Sequence, residues 1–100
     1  MAMSGVSFWG YDLGGFYNTG YIGNEERPNI EDYLSPVQMG LWMPLSRAHG
    51  KTPREPWQYG DMALKEVKKW INFRHRLVPY LYHTACQSHQ SGIPMIRPLV

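Results

Sequence analysis

From Asp61 onward, Leu64, Val67, Ile71, Arg74, Val78, Leu81 and Ala85 follow one another at steps of three and four. That period predicts a long amphipathic helix, ended by Gly92 and Pro94. An apolar stripe on one side of a helix has to be laid against another layer, so this segment constrains everything before it. Pro79 sits inside the series and predicts a kink near Val78 or the start of a second segment there.

The preceding residues supply strand and loop patterns. Residues 1–7 are short, apolar and β-compatible, with Met3, Val6 and Phe8 among small residues. Gly10, Gly14 and Gly15 bracket Tyr11, Asp12 and Leu13, which reads as a strand ending in a tight loop. The spacing is not GxGxxG and no Lys-Ser/Thr follows, so no phosphate cradle is expected. Residues 17–28 are polar and turn-rich, a surface loop. Asn29 is suited to cap a helix from Ile30, with Asp32 in its first turn. Ser35 is equally suited to cap one that places Pro36 at its first position, and the sequence leaves both open. Gly40 and Pro44 close this element. Residues 45–50 read as a short strand and loop, and a loop with Pro53, Pro56 and Trp57 follows. Strand, loop, helix, strand, loop, long helix is the order of an α/β layered fold or barrel.

Composition excludes several classes. In 100 residues, 43% hydrophobic and 18% charged side chains are incompatible with a disordered tail, a collagen repeat or a low-complexity linker. The net charge of +2 gives no reason to expect nucleic acid. Residues 1–50 are net acidic and 51–100 net basic, but the bases from Lys65 to Arg76 fall on the predicted helix and read as its solvated face. The single cysteine, Cys86, allows no internal disulfide and no CxxC zinc pair. His83, Cys86 and His89 drift around a helix over an arc of ~120°, which converges poorly on a metal, so a helix flank is expected. The sequence shows no secretory pattern, no apolar run of ~18 residues and no N-x-S/T sequon, which makes a cytoplasmic setting the default and gives no reason to expect a membrane partner.

Polar residues at strand ends beside glycine are natural site candidates in an α/β barrel. Asp12 is one, with a loop carboxylate bonded to neighbouring backbone as its plain alternative. His49, between Ala48 and Gly50, is another, and Arg47 beside it reads either as a buried ion-pair partner or as a substrate clamp. Trp9, Phe16, Trp42 and Trp57 lie in or near the loops; aromatic faces beside polar groups suit sugars. For Trp42 and Trp57, packing in the core or loops is the preferred reading.

The motifs carry the reading further. The run Ser4-Gly5-Val6-Ser7-Phe8-Trp9-Gly10-Tyr11-Asp12-Leu13-Gly14-Gly15-Phe16 resembles the SG-x-x-F-x-x-DIGGF segment of glycoside hydrolase family 31, which includes α-glucosidases and α-xylosidases. Ser46-Arg47-Ala48-His49-Gly50, Arg54-Glu55-Pro56-Trp57, Arg76-Leu77-Val78-Pro79-Tyr80-Leu81-Tyr82 and Gly92-Ile93-Pro94-Met95-Ile96-Arg97-Pro98-Leu99 follow in the order of that family. Leu13 stands for the usual Ile, the loop over residues 17–29 is longer than in many relatives, and Ser35-Pro36 stands where an Arg-Trp pair often occurs.

The resemblance implies a (β/α)8 TIM barrel, of which residues 1–100 supply the last strands and helices as a fragment of the catalytic domain, incomplete at both ends. It implies a retaining α-glycosidase acting on terminal α-linked glucose or xylose, with a non-catalytic carbohydrate-binding relative as the alternative. In the family both catalytic aspartates precede the DIGGF segment, so no catalytic residue is expected here and these residues alone are expected to be inactive. Substrate-binding roles carry over to His49, Asp12, Phe16 and Arg47. No cofactor or metal is implied; the expected partners are a small carbohydrate and the remainder of the barrel.

Overall fold

A computed structural model describes residues 4–17, 21–22, 25–26 and 28–98. Strands β1 (Gly10–Leu13), β2 (Tyr21–Ile22) and β3 (Glu25–Glu26) are followed by helix α1 (Ile30–Gly40) and strand β4 (Leu45–Ala48). A 3-10 turn (Pro56–Tyr59) then leads into helix α2 (Asp61–Ser91). β1 and β4 pair in parallel, with Gly10 opposite Leu45 and Asp12 opposite Arg47. Parallel neighbours need a crossover, and α1 supplies it. β2 and β3 form a separate antiparallel pair. The chain is therefore α/β, a βαβ unit followed by a second helix.

The first strand lies later than the sequence suggests. Residues 4–9 are not strand, and β1 begins at Gly10, the residue read as the start of the loop. The turn comes after Leu13, where the Gly15 N–H donates to the Asp12 carbonyl at 2.8 Å. Asp12 consequently sits within the strand. Residues 1–3 and parts of the expected 17–28 loop lie outside the described residues, as do residues 99–100.

Asn29 decides the open question about α1. Its side-chain oxygen accepts from the N–H groups of Glu31 at 3.0 Å and Asp32 at 2.9 Å, satisfying two of the first-turn donors. Pro36 lies inside the helix. Pro79 likewise lies inside α2, which runs as one 31-residue helix with no break at Val78. Each proline removes a bond to the carbonyl four residues earlier. Those carbonyls belong to Asp32 and His75, both exposed residues, so solvent is at hand in place of the missing N–H. At the far end, Gly92 caps α2 in the left-handed conformation (φ 73°), and its N–H donates to the Ser88 carbonyl.

The core joins these pieces: Leu13 of β1, Tyr33, Val37 and Leu41 from α1 and its C-terminus, Tyr59 of the 3-10 turn, and Ala63 and Val67 of α2. Beyond this point the apolar stripe of α2 has less to cover it. Ile71 is partly buried, while Val78 is 50% exposed.

Arg74, the one charged member of the stripe, has a specific duty. Its guanidinium donates to the Leu41 carbonyl, to Met43 at 2.9 Å and to Pro44 at 3.3 Å. These carbonyls lie just beyond the C-terminus of α1, where backbone acceptors lack helical partners. Burial lowers the Arg74 pKa from its ordinary value.

Candidate functional site

The parallel register sets the site. Alternation turns Leu13 toward α1 and leaves Asp12 on the opposite face, beside its strand partner Arg47. Arg47 Nε donates to Asp12 Oδ1 at 2.8 Å. The Arg47 side chain is 70% exposed and that of Asp12 only 22%. Arg47 is therefore not the buried ion-pair partner that the sequence allowed. An ion pair this open contributes about 0–1 kcal/mol to stability, so its charge and donors are available for another use.

An open cleft of about 750 Å³ lies on this face, and Asp12, Arg47, Phe16 and Leu45 are among the residues lining it. Leu45 is 60% exposed despite lying in a paired strand. Phe16 follows the turn made by Gly14 and Gly15. Its ring lies 5.4 Å from that of His49, tilted by 45°. The four residues singled out in the sequence thus come together as two pairs, one polar and one aromatic, where β1 and β4 end. His49 joins through its contact with Phe16 rather than by lining the cleft itself.

For two tryptophans, expected to pack in the core or the loops, the structure excludes the core. Trp42 and Trp57 are 54% and 63% exposed, so neither is packed in the core. The Trp42 ring meets that of Phe73 edge-on, with centroids 5.6 Å apart.

A further participant, Arg54, has in the sequence only its place in the Arg54-Glu55-Pro56-Trp57 motif. Arg54 is only 3% exposed, and its guanidinium donates from Nε to the Gly15 carbonyl at 2.7 Å and from Nη1 to Thr52 Oγ1 at 2.7 Å. Its own carbonyl accepts from the Tyr33 hydroxyl at 2.9 Å. Tyr33 stacks flat on Tyr59, centroids 3.8 Å apart; burial, with Tyr59 adding to it, pushes the Tyr33 phenol well above its ordinary pKa. The only advance signal of Arg54 was its place between Pro53 and Glu55, since its acceptors lie up to 39 residues away.

Among the described residues, no group of three His, Cys, Asp or Glu side chains is placed to hold a metal ion. No helix of the described residues is long and apolar enough to cross a membrane.

A parallel βαβ unit with polar and aromatic side chains where its strands end places the chain in the α/β class. Residues 1–84 match the family model of the glycosyl hydrolases family 31 TIM-barrel domain, and the chain belongs to that family. It is 33% identical to an alpha-xylosidase of Saccharolobus solfataricus, over 99% of this chain and 13% of that protein. An alpha-glucosidase 2 of Bacillus thermoamyloliquefaciens is 35% identical over 99% of this chain and 12% of its own length. Neutral alpha-glucosidase C of Mus musculus is 36% identical over 99% of this chain and 10% of its own. The 100 residues therefore span about an eighth or less of these relatives.

Proposed function

We propose that this chain forms the sugar-binding side of a retaining α-glycosidase that hydrolyses terminal α-linked glucose or xylose. The observation carrying the reading is the convergence of Asp12, Arg47, Phe16 and His49 where two adjacent parallel strands end, in a member of family 31. A parallel sheet is ordinarily covered on both faces. The face opposite α1 is open here, as the inner face of a (β/α)8 barrel would be before its other strands are added. In that setting the strand ends deliver side chains to the C-terminal rim, where barrel active sites lie.

The chemistry divides accordingly. Asp12 and Arg47 offer an acceptor and several N–H donors to sugar hydroxyls, and Phe16 offers an apolar wall to a pyranose face. His49, held against Phe16, hydrogen-bonds hydroxyls of the same ring. Retention requires a carboxylate nucleophile and a carboxylic acid about 5–5.5 Å apart; both come from strands outside these residues. Asp12, paired with Arg47, positions sugar rather than attacking it. Holding a reactant in one geometry contributes several kcal/mol of barrier lowering once the reacting pair is present.

His49→Ala tests the assignment in the intact enzyme. The expected result is a fall of at least about tenfold in kcat/KM on p-nitrophenyl α-glucoside or α-xyloside, with the melting temperature retained. Unchanged kinetics on both substrates would remove His49 from the site. Binding of glucose or xylose by the intact protein with no turnover of either glycoside would instead make it a non-catalytic carbohydrate-binding relative.

A further inference from the structure

We propose that Arg54 is a positioning residue, fixing the two loops that carry Phe16 and His49 so that their rings meet at the head of the cleft. The proposal rests on the reading of Phe16 and His49 as sugar contacts and adds what holds them there. On one side, Arg54 Nε donates to the Gly15 carbonyl at 2.7 Å and Nη2 to the Phe16 carbonyl at 3.4 Å. On the other, Nη1 donates to the Thr52 carbonyl at 3.0 Å, Thr52 Oγ1 at 2.7 Å and the Pro53 carbonyl at 3.1 Å. The planar guanidinium thus spans the loop after β1 and the loop after β4. A lysine ammonium, a compact point charge, has no fork with which to bridge them.

The surroundings are built for this side chain. A buried cation is tolerated only where acceptors replace water, and backbone carbonyls supply them here. The Lys51 N–H also donates to the Phe16 carbonyl at 2.9 Å, a second stitch between the same loops. Tyr33 holds the Arg54 carbonyl, and Tyr59 holds the Pro53 carbonyl at 3.0 Å. Two glycines leave the necessary room. A Cβ at Gly14 would lie 2.9 Å from Arg54 Cδ, and one at Gly50 would lie 2.8 Å from Arg54 Nε. Gly50 is the immediate neighbour of His49, and Gly14 lies two residues before Phe16, so a shift of Arg54 is transmitted to both rings.

Arg54→Lys, Phe16→Ala and His49→Ala in the intact enzyme, with the Arg54/Phe16 double variant, form the test. The readouts are KM and kcat on p-nitrophenyl α-glucoside and α-xyloside and the inhibition constants of free glucose and xylose. Arg54→Lys is expected to raise KM and the inhibition constants about tenfold, with kcat changed less. The double variant should then lose less sugar affinity than the two single losses summed, because Arg54 acts in part through that ring. Should Arg54→Lys not accumulate, Thr52→Val removes one acceptor of the clamp and should show the same coupling at smaller size. A role confined to folding would lower the melting temperature and the active fraction, hence kcat, while leaving KM unchanged; that result, or strictly additive losses, overturns the proposal. If Phe16→Ala and His49→Ala leave sugar affinity unchanged, the site reading itself fails and the proposal goes with it. If they weaken binding and neither Arg54→Lys nor Thr52→Val does, only the role of Arg54 is lost.

Discussion

Two demands meet at Gly14. Its backbone is left-handed, with φ at +84°, and a Cβ there would lie 2.7 Å from the Tyr33 ring. Gly92, at the end of α2, has a similar φ of +73° but nothing within 4 Å of the position a Cβ would take. The pair separates conformational strain from steric overlap. Gly92→Ala should cost about 1–2 kcal/mol, the ordinary penalty of a left-handed alanine. Gly14→Ala adds overpacking of about 1–3 kcal/mol, and because Tyr33 touches the Arg54 carbonyl it should also weaken sugar binding. Chemical denaturation of the intact protein checks the first difference, and the inhibition constant of glucose checks the second. Equal losses of stability from the two substitutions would show that the Tyr33 ring yields freely.

At the scale of elements, local chemistry was legible in the sequence and distant chemistry was not. Asn29 caps α1 through donors two and three residues away, so the cap could be read directly; only its competition with Ser35 needed the fold to decide. The β4 strand and the glycine stop of α2 were equally local. The misplacement of β1 came from treating Gly10, Gly14 and Gly15 alike, although only the last two form the turn. Arg74 was visible as a member of the α2 stripe, but its purpose was hidden because its acceptors lie 30–33 residues earlier. Arg54 was hidden for the same reason. The Asp12–Arg47 pairing needed the parallel register, whereas the four site residues themselves came from motif order. The Arg74 contact predicts how α1 ends: Arg74→Met keeps the apolar stem but takes a charged donor from three carbonyls, of which Met43 retains the Ser46 hydroxyl at 3.5 Å. With hydrogen bonds to charged groups contributing about 1.5–3 kcal/mol, the variant should lose about 2 kcal/mol in denaturation of the intact protein. It should leave KM for the glycosides unchanged, since Arg74 touches neither loop of the cleft. A KM rise comparable with that of Arg54→Lys would link the α1 terminus to the site after all.

The whole molecule shows an imbalance between its helices and its sheet. The radius of gyration is 15.2 Å, larger than the ~13 Å of an ordinary compact domain of this size. The excess follows α2, which is 31 residues long and has its buried apolar side chains, Ala63 and Val67, in its first two turns. Among the described residues, β1 pairs only with β4, and two short strands present both backbone edges and one open face. On the barrel reading, further layers would lie over the exposed apolar side chains: Leu45 on the open face, Val78 and Tyr82 along α2. A small self-standing helical module would show the opposite, with its long helix covered along its length. These residues produced alone should therefore be helical by circular dichroism, through α2, yet melt without a sharp transition and bind a hydrophobic dye. They should hydrolyse neither glycoside, because the carboxylates that cleave the bond are assigned to other strands of the barrel. The decisive measurement is calorimetric. A cooperative heat-absorption peak from the 100 residues alone would mean that the open sheet face is a finished surface, and the barrel reading would then lose its structural support.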